Sequence, residues 1–134
     1  MNVSALMTVP PITTGPDTLV VEARQLMSNR RIRHLLVTDG PKLLGIITDR
    51  DMRLNLPSPA TSLSVWEINY VLARMTVASV MTKSVITVES GRDALVAAHL
   101  MLDHKIGALP VVEAGSVVGI ITETDLLRAF VQAS

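Results

Sequence analysis

Gly45-Ile46-Ile47-Thr48-Asp49-Arg50-Asp51 returns 74 positions later as Gly119-Ile120-Ile121-Thr122-Glu123-Thr124-Asp125. Each stretch reads as a buried strand that closes on a threonine, passes two residues and meets an aspartate where a helix opens. Moving outward from this pair, the same offset holds without a gap. Met7-Thr8 meets Met81-Thr82, Ile12-Thr13 meets Ile86-Thr87, and Leu26-Met27 meets Leu100-Met101. Ile32, Leu35 and Val37 likewise meet Ile106, Leu109 and Val111. The chain is therefore two copies of one unit, with a first copy over 1–56, a linker over 57–76 and a second copy over 77–134. A copy of this size has a marginal core on its own, so the two are expected to bury apolar faces together.

Inside the first copy, Ile12 to Thr14 reads as a short strand, and Thr18 to Arg30 as a helix with Leu19, Ala23, Leu26 and Met27 at helical spacing. Leu35 to Thr38 and Leu43 to Ile47 read as strands joined across Asp39-Gly40, a hairpin signal. A second helix opens at Thr48. The fold class is α/β, with the order strand, helix, strand, strand, helix written twice. In the linker, Pro57-Ser58-Pro59-Ala60 favours an extended connection, and a helix follows from about Val65 to Arg74. Ser64 and Glu67 fit a capping box for it, with Leu63 and Ile68 as the hydrophobic staple. Trp66 and Tyr70, one turn apart, are expected to pack this helix onto the core, the alternative being a surface for a partner.

Composition narrows the function. The 134 residues are 49% apolar with a mean hydropathy of +0.42, ample for a core. Twelve basic and twelve acidic residues cancel, so nothing suggests nucleic acid or an anionic membrane as a partner. The copies differ, however: residues 1–56 hold seven basic and five acidic residues, a balance of +2, while residues 77–134 hold four and six, a balance of −2. The absence of cysteine excludes disulfides and thiolate chemistry. No leader or spanning segment is evident, so a cytoplasmic location is expected. His99 and His104 are five apart, a poor spacing for sharing a metal on a helix, and no serine, histidine and carboxylate form a nucleophilic group. No metal, catalytic residue or enzyme activity is expected.

The repeated Thr-x-x-Asp supports two readings. As local structure it is a capping box variant, in which the threonine hydroxyl accepts from the first turn and the aspartate suits the positive helix end. As a site, it joins a helix N-terminus and a hydroxyl, both able to meet phosphate, to a carboxylate able to accept from both hydroxyls of a ribose. Its occurrence in both copies favours the second reading.

On these residues the chain resembles the CBS-domain family, named for cystathionine beta-synthase, whose pattern is glycine, two apolar residues, Thr or Ser, two residues and Asp. The Met7-Thr8 and Met81-Thr82 openings, Ile32-Arg33-His34-Leu35 and Ile106-Gly107-Ala108-Leu109-Pro110-Val111 carry the resemblance further, over nearly the whole chain outside the linker. The linker helix and the copy endings look closest to the bacterial acetoin-utilisation regulatory type. The resemblance implies tandem repeats packed through their sheets as a pair, with clefts for an adenosine-containing regulatory ligand such as AMP, ADP, ATP, NAD or S-adenosylmethionine. It implies that Asp51 and Asp125 hold ribose, that Thr48 and Thr122 approach phosphate, and that Arg33 and His34 contact phosphates; by position alone, Arg50 inside the turn and Thr13 and Thr87 at the ends of the opening strands are lesser candidate contacts. Gly107 and Ala108 replace Arg33 and His34 in the second copy, so the two sites are expected to differ. The helix from Ala94 to Leu102 is apolar nearly all round, which points to a homodimer interface on one of its sides. A further protein partner is expected of a regulatory module. The competing reading is a structural dimerisation module with vestigial clefts.

Overall fold

The computed structural model describes residues 1–55 and 62–133; the extended proline connection expected over 57–60 lies outside the described residues. The first copy holds α1 (Val3–Leu6), β1 (Thr13–Thr14), α2 (Val20–Arg30), β2 (His34–Asp39), β3 (Lys42–Thr48) and α3 (Asp49–Leu54). The linker helix α4 (Val65–Arg74) leads to the second copy, which holds α5 (Val77–Val80), β4 (Val88–Glu89), α6 (Ala94–His104), β5 (Ala108–Glu113), β6 (Ser116–Thr122) and α7 (Glu123–Ala133). Each copy forms one three-stranded sheet, in the order β1-β2-β3 or β4-β5-β6. Its first pair is parallel and, in the second copy, β5 and β6 are antiparallel, with Leu109 opposite Ile121. The strand, helix, strand, strand, helix order of the sequence is present in both copies, preceded in each by a four-residue helical turn.

The compact units do not follow chain order. One unit gathers residues 12–39 and 44–83, the other residues 1–11, 40–43 and 84–134. Each copy therefore gives its opening segment to the unit built on the other copy's sheet. In the first unit Val77 and Val80 of α5 join a core of Val20, Ala23, Met27, Leu35, Val37, Ile47 and Met52. In the second, Val3 joins Val88, Ala97, Met101, Leu109, Val111 and Ile121. Backbone bonds fix these segments: Ile46 and Thr82 exchange N–H to carbonyl bonds of 3.0 and 2.8 Å, and Thr8 and Ile120 exchange bonds of 2.8 and 3.2 Å.

This pairing explains the glycine that opens each motif. A Cβ on Gly45 would lie 2.7 Å from both Met81 Sδ and the Thr82 carbonyl oxygen, and one on Gly119 would lie 2.9 Å from Met7 Sδ and the Thr8 carbonyl oxygen. The absent side chain makes room for the crossing segment, the use of glycine that close backbone approach demands.

Two expectations shift. Helix α2 begins at Val20 rather than Thr18, because Thr18 already serves the opening segment of the other copy: its carbonyl accepts from Val77 N at 2.8 Å, and Leu19 pairs with Thr76. Helix α4 has the expected bounds and the expected capping box, with Ser64 Oγ accepting from Glu67 N and Glu67 Oε1 accepting from Ser64 N. Its aromatic residues, however, do not pack on the core. Trp66 is 83% exposed and Tyr70, with the Arg74 guanidinium 3.6 Å above its ring, is 61% exposed. Ile68, Leu72 and Met75, half-buried at helical spacing, supply the inward side instead.

Candidate functional site

The Thr-x-x-Asp motifs sit at the junctions β3 to α3 and β6 to α7. At the first, Thr48 is the N-cap: its Oγ1 accepts from Asp51 N at 3.1 Å, while Thr48 N donates to Asp51 Oδ2 at 3.0 Å. The second repeats this, with Thr122 Oγ1 accepting from Asp125 N at 3.3 Å and Thr122 N donating to Asp125 Oδ2 at 2.9 Å. Thr122 Oγ1 also stands 3.1 Å from the same carboxylate oxygen, which it can meet as donor. The capping reading is thus realised in full, and it uses one oxygen of each carboxylate. The other oxygen decides what else the aspartate can do.

Those outer oxygens differ between the copies. Asp51 Oδ1 accepts from the Thr82 hydroxyl at 3.4 Å, at the long end for such a bond, and the side chain is half-buried. Asp125 Oδ1 faces Arg128 at 3.6 Å; the aspartate is 8% exposed, while the arginine side chain is 61% exposed. Each carboxylate oxygen has two lone pairs, so both aspartates keep acceptor capacity beyond their caps.

Neither Thr82 nor Arg128 was singled out from sequence. The Met81-Thr82 repeat was visible, but its place beside Asp51 follows from the exchange of opening segments, which no local pattern encodes. Arg128, by contrast, stands three residues after Asp125, a spacing at which helical side chains meet.

The remaining expected residues are distributed over both sheets. Thr13 begins β1, exposed and paired with Leu36, while Thr87 lies immediately before β4 and is half-buried. Arg50 is exposed in the first turn of α3. Arg33 lies exposed in the bend just before β2, while His34 opens the strand and is half-buried. Leu35 and Val37 point to the helix side of their sheet, in the core with Met27 and Met52, while Leu36 is fully buried outside that cluster. His34, at the head of β2, shares the side of Leu36. Arg33 lines a groove on the helix side with Arg24, Met27, Ser28, Arg31, Ile32, Asp49 and Met52. Among the described residues, no three histidine, aspartate or glutamate side chains cluster as metal ligands, and no helix is long and apolar enough to cross a membrane.

A twice-written strand, helix, strand, strand, helix unit whose last strand ends in glycine, two apolar residues, threonine and a capping aspartate defines a class of paired repeat modules. The CBS domain family matches residues 3–58 and 77–132, and the chain belongs to that family. A CBS domain-containing protein of Dictyostelium discoideum is 33% identical over 132 residues, covering 97% of this chain and 91% of that protein. Other relatives are longer: the chain spans 43% of a 33.4 kDa protein encoded in a ribosomal RNA operon of Thermofilum pendens, at 33% identity over 95% of this chain.

Solved structures agree. A CBS domain pair in complex with 5'-methylthioadenosine and S-adenosyl-L-methionine superposes with a TM-score of 0.80 at 30% identity, covering 100% of this chain and 98% of that one. CBSX2 in complex with AMP gives 0.81 at 30% identity over 98% and 97% of the two chains. A Vibrio cholerae protein named for acetoin utilization, AcuB, gives 0.84 at 30% identity over 99% and 92%.

Proposed function

We propose that this chain is a regulatory sensing module that binds an adenosine-containing ligand and has no catalytic activity of its own. The observation that carries the reading is the pair of capped aspartates, Asp51 and Asp125, each with one oxygen fixed by the backbone and one turned to a group that can yield. A carboxylate so held is oriented without being satisfied, which suits it to accept from the two hydroxyls of a ribose. Thr48 and Thr122 stand beside these carboxylates, and His34, Arg50, Thr13 and Thr87 complete the set of candidate contacts. The adenosine compounds held by the two related structures described above support the ligand class. AMP, ADP, ATP, NAD and S-adenosylmethionine are the compounds to test.

The different outer neighbours of the two aspartates, a threonine hydroxyl in one unit and an arginine in the other, support unequal affinities. The likeness to the Vibrio cholerae protein, together with the linker helix, supports a place near the acetoin-utilisation regulatory type. Self-association is part of the proposal. Leu95 and Leu102 of α6 and Leu127, Phe130 and Val131 of α7 are all more than 60% exposed, a larger apolar display than a small monomer usually carries.

Titration calorimetry of the purified chain with the five compounds, paired with thermal denaturation, tests the reading. A ligand at tenfold excess over its dissociation constant adds about 1.4 kcal/mol of stability. No heat and no rise in melting temperature with any of them at millimolar concentration would overturn the sensing role and leave a structural dimerisation module. Asp51→Asn is expected to weaken adenosine and AMP alike, because ribose is common to both.

A further inference from the structure

The helix side of the first unit carries a groove of about 390 Å³ lined by Arg24, Met27, Ser28, Arg31, Ile32, Arg33, Asp49 and Met52. Arg24, Ser28 and Arg31 follow one stripe along α2 and past its end, at spacings of four and three residues. Arg33 comes from the bend just before β2, where its carbonyl accepts from Asp49 N at 3.4 Å. The three arginines Arg24, Arg31 and Arg33 thus line one groove together with the apolar Met27, Ile32 and Met52. Among the described residues none of the three has a carboxylate within 4.0 Å. Asp49, the only acidic residue lining the groove, leaves an excess of positive charge there.

The second copy serves as an internal control. At the same offset it has Met101 for Met27, Ile106 for Ile32, Leu126 for Met52 and Glu123 for Asp49, so the apolar residues and the acidic group are kept. The cations are not: Ala98 stands for Arg24, Gly107 for Arg33, and Leu102 for Ser28, with Lys105 alone answering Arg31. Both Arg31 and Lys105 adopt left-handed backbone, at φ of 55° and 54°, so that turn belongs to the fold and not to the groove. What the fold does not need is the arginine cluster itself.

We infer that this groove is a binding site for a small organic phosphate, separate from the motif-bearing aspartates. Planar guanidinium forks match phosphate oxygens two at a time and keep their charge at any physiological pH. Met27, Ile32 and Met52 receive the apolar body of the ligand, and Asp49 can accept from a hydroxyl or amine on it. The volume lies in the range of small-molecule pockets and exceeds what a bare phosphate fills. The resemblance to CBS relatives implies a nucleotide phosphate for Arg33; its place in the lining of this groove is the observation that assigns it here. The inference does not depend on adenosine binding.

Phenyl phosphate is the probe, with inorganic phosphate for comparison, and the methyl resonances of Met27 and Met52 in the full chain are the reporters. Phenyl phosphate is expected to shift both methyls saturably and to bind more tightly than inorganic phosphate. Replacing Arg24 and Arg31 together by glutamine should weaken it by about tenfold or more, the usual loss when charge-assisted hydrogen bonds are removed. Replacing the exposed Arg30 and Arg53 together by glutamine removes the same charge elsewhere on the unit and should change it little. Unshifted Met27 and Met52 methyls, unchanged binding in the Arg24 and Arg31 variant, or an equal loss in the Arg30 and Arg53 variant would each overturn the inference. So would loss of phenyl phosphate binding in Asp51→Asn, which would put the compound on the motif instead.

Discussion

Gly45→Ala is the sharpest test of how the motif is built. The new methyl carbon would begin 2.7 Å from the Thr82 carbonyl oxygen and 2.7 Å from Met81 Sδ. Methionine can change rotamer, but the carbonyl belongs to backbone locked by the reciprocal bonds between Ile46 and Thr82. The crossing segment must therefore move outward, and overpacking of this kind costs about 1–3 kcal/mol. For a chain of this size each kcal/mol lowers the melting temperature by roughly 3–5 °C. Gly91→Ala is the matched control, since nothing lies within 4 Å of its Cβ position and its φ is not positive. It is expected to fall within about 0.5 kcal/mol of the unmodified chain, as surface substitutions do. Urea denaturation followed by circular dichroism measures both. A Gly45→Ala chain as stable as Gly91→Ala would show that the close approach carries no energetic weight, and the steric account of the motif glycine would fail.

Thr48→Ala removes the hydroxyl that caps α3 and should cost about 1 kcal/mol in the same denaturation assay, less than half of which should appear for Thr13→Ala, whose hydroxyl caps no helix. Trp66 is the only tryptophan, so its fluorescence reports one position: emission at the wavelength of solvated indole and ready quenching by iodide are expected, and a blue-shifted, protected signal would refute its exposure. Leu102→Glu places a charge on the apolar face of α6 and should drive a homodimer toward monomer in light scattering. An unmodified chain that is already monomeric at micromolar concentration would refute the dimer.

Much of the fold was legible because its signals are local. The bounds of α4 and the cap at Thr48 follow from residues three or four apart. Non-local features were not. Periodicity places Met7-Thr8 and Met81-Thr82 at matching points but is silent on which sheet each joins, and the answer is the other copy's. Thr82 beside Asp51 was missed for that reason. Helices α1 and α5, with four residues each, are too short to display a helical period. Trp66 misled because its bulk suggests burial, whereas Ile68, Leu72 and Met75 already fill the inward stripe of α4. Arg33 and His34 look like one basic pair in the sequence, but the bend before β2 ends between them, leaving Arg33 exposed and His34 half-buried at the head of the strand.

The exchange of opening segments also bears on synthesis. As the chain leaves the ribosome in N-to-C order, the unit spanning residues 12–39 and 44–83 has all its parts once residue 83 has emerged. The other cannot close so early: Val3, Leu6 and Met7, synthesised first, belong to a core whose remaining members begin at Ile86. The N-terminal apolar residues must wait, unengaged, while more than half of the chain is made. A protein made without residues 1–11 should still complete its first unit while leaving the second with an open edge at Ile120.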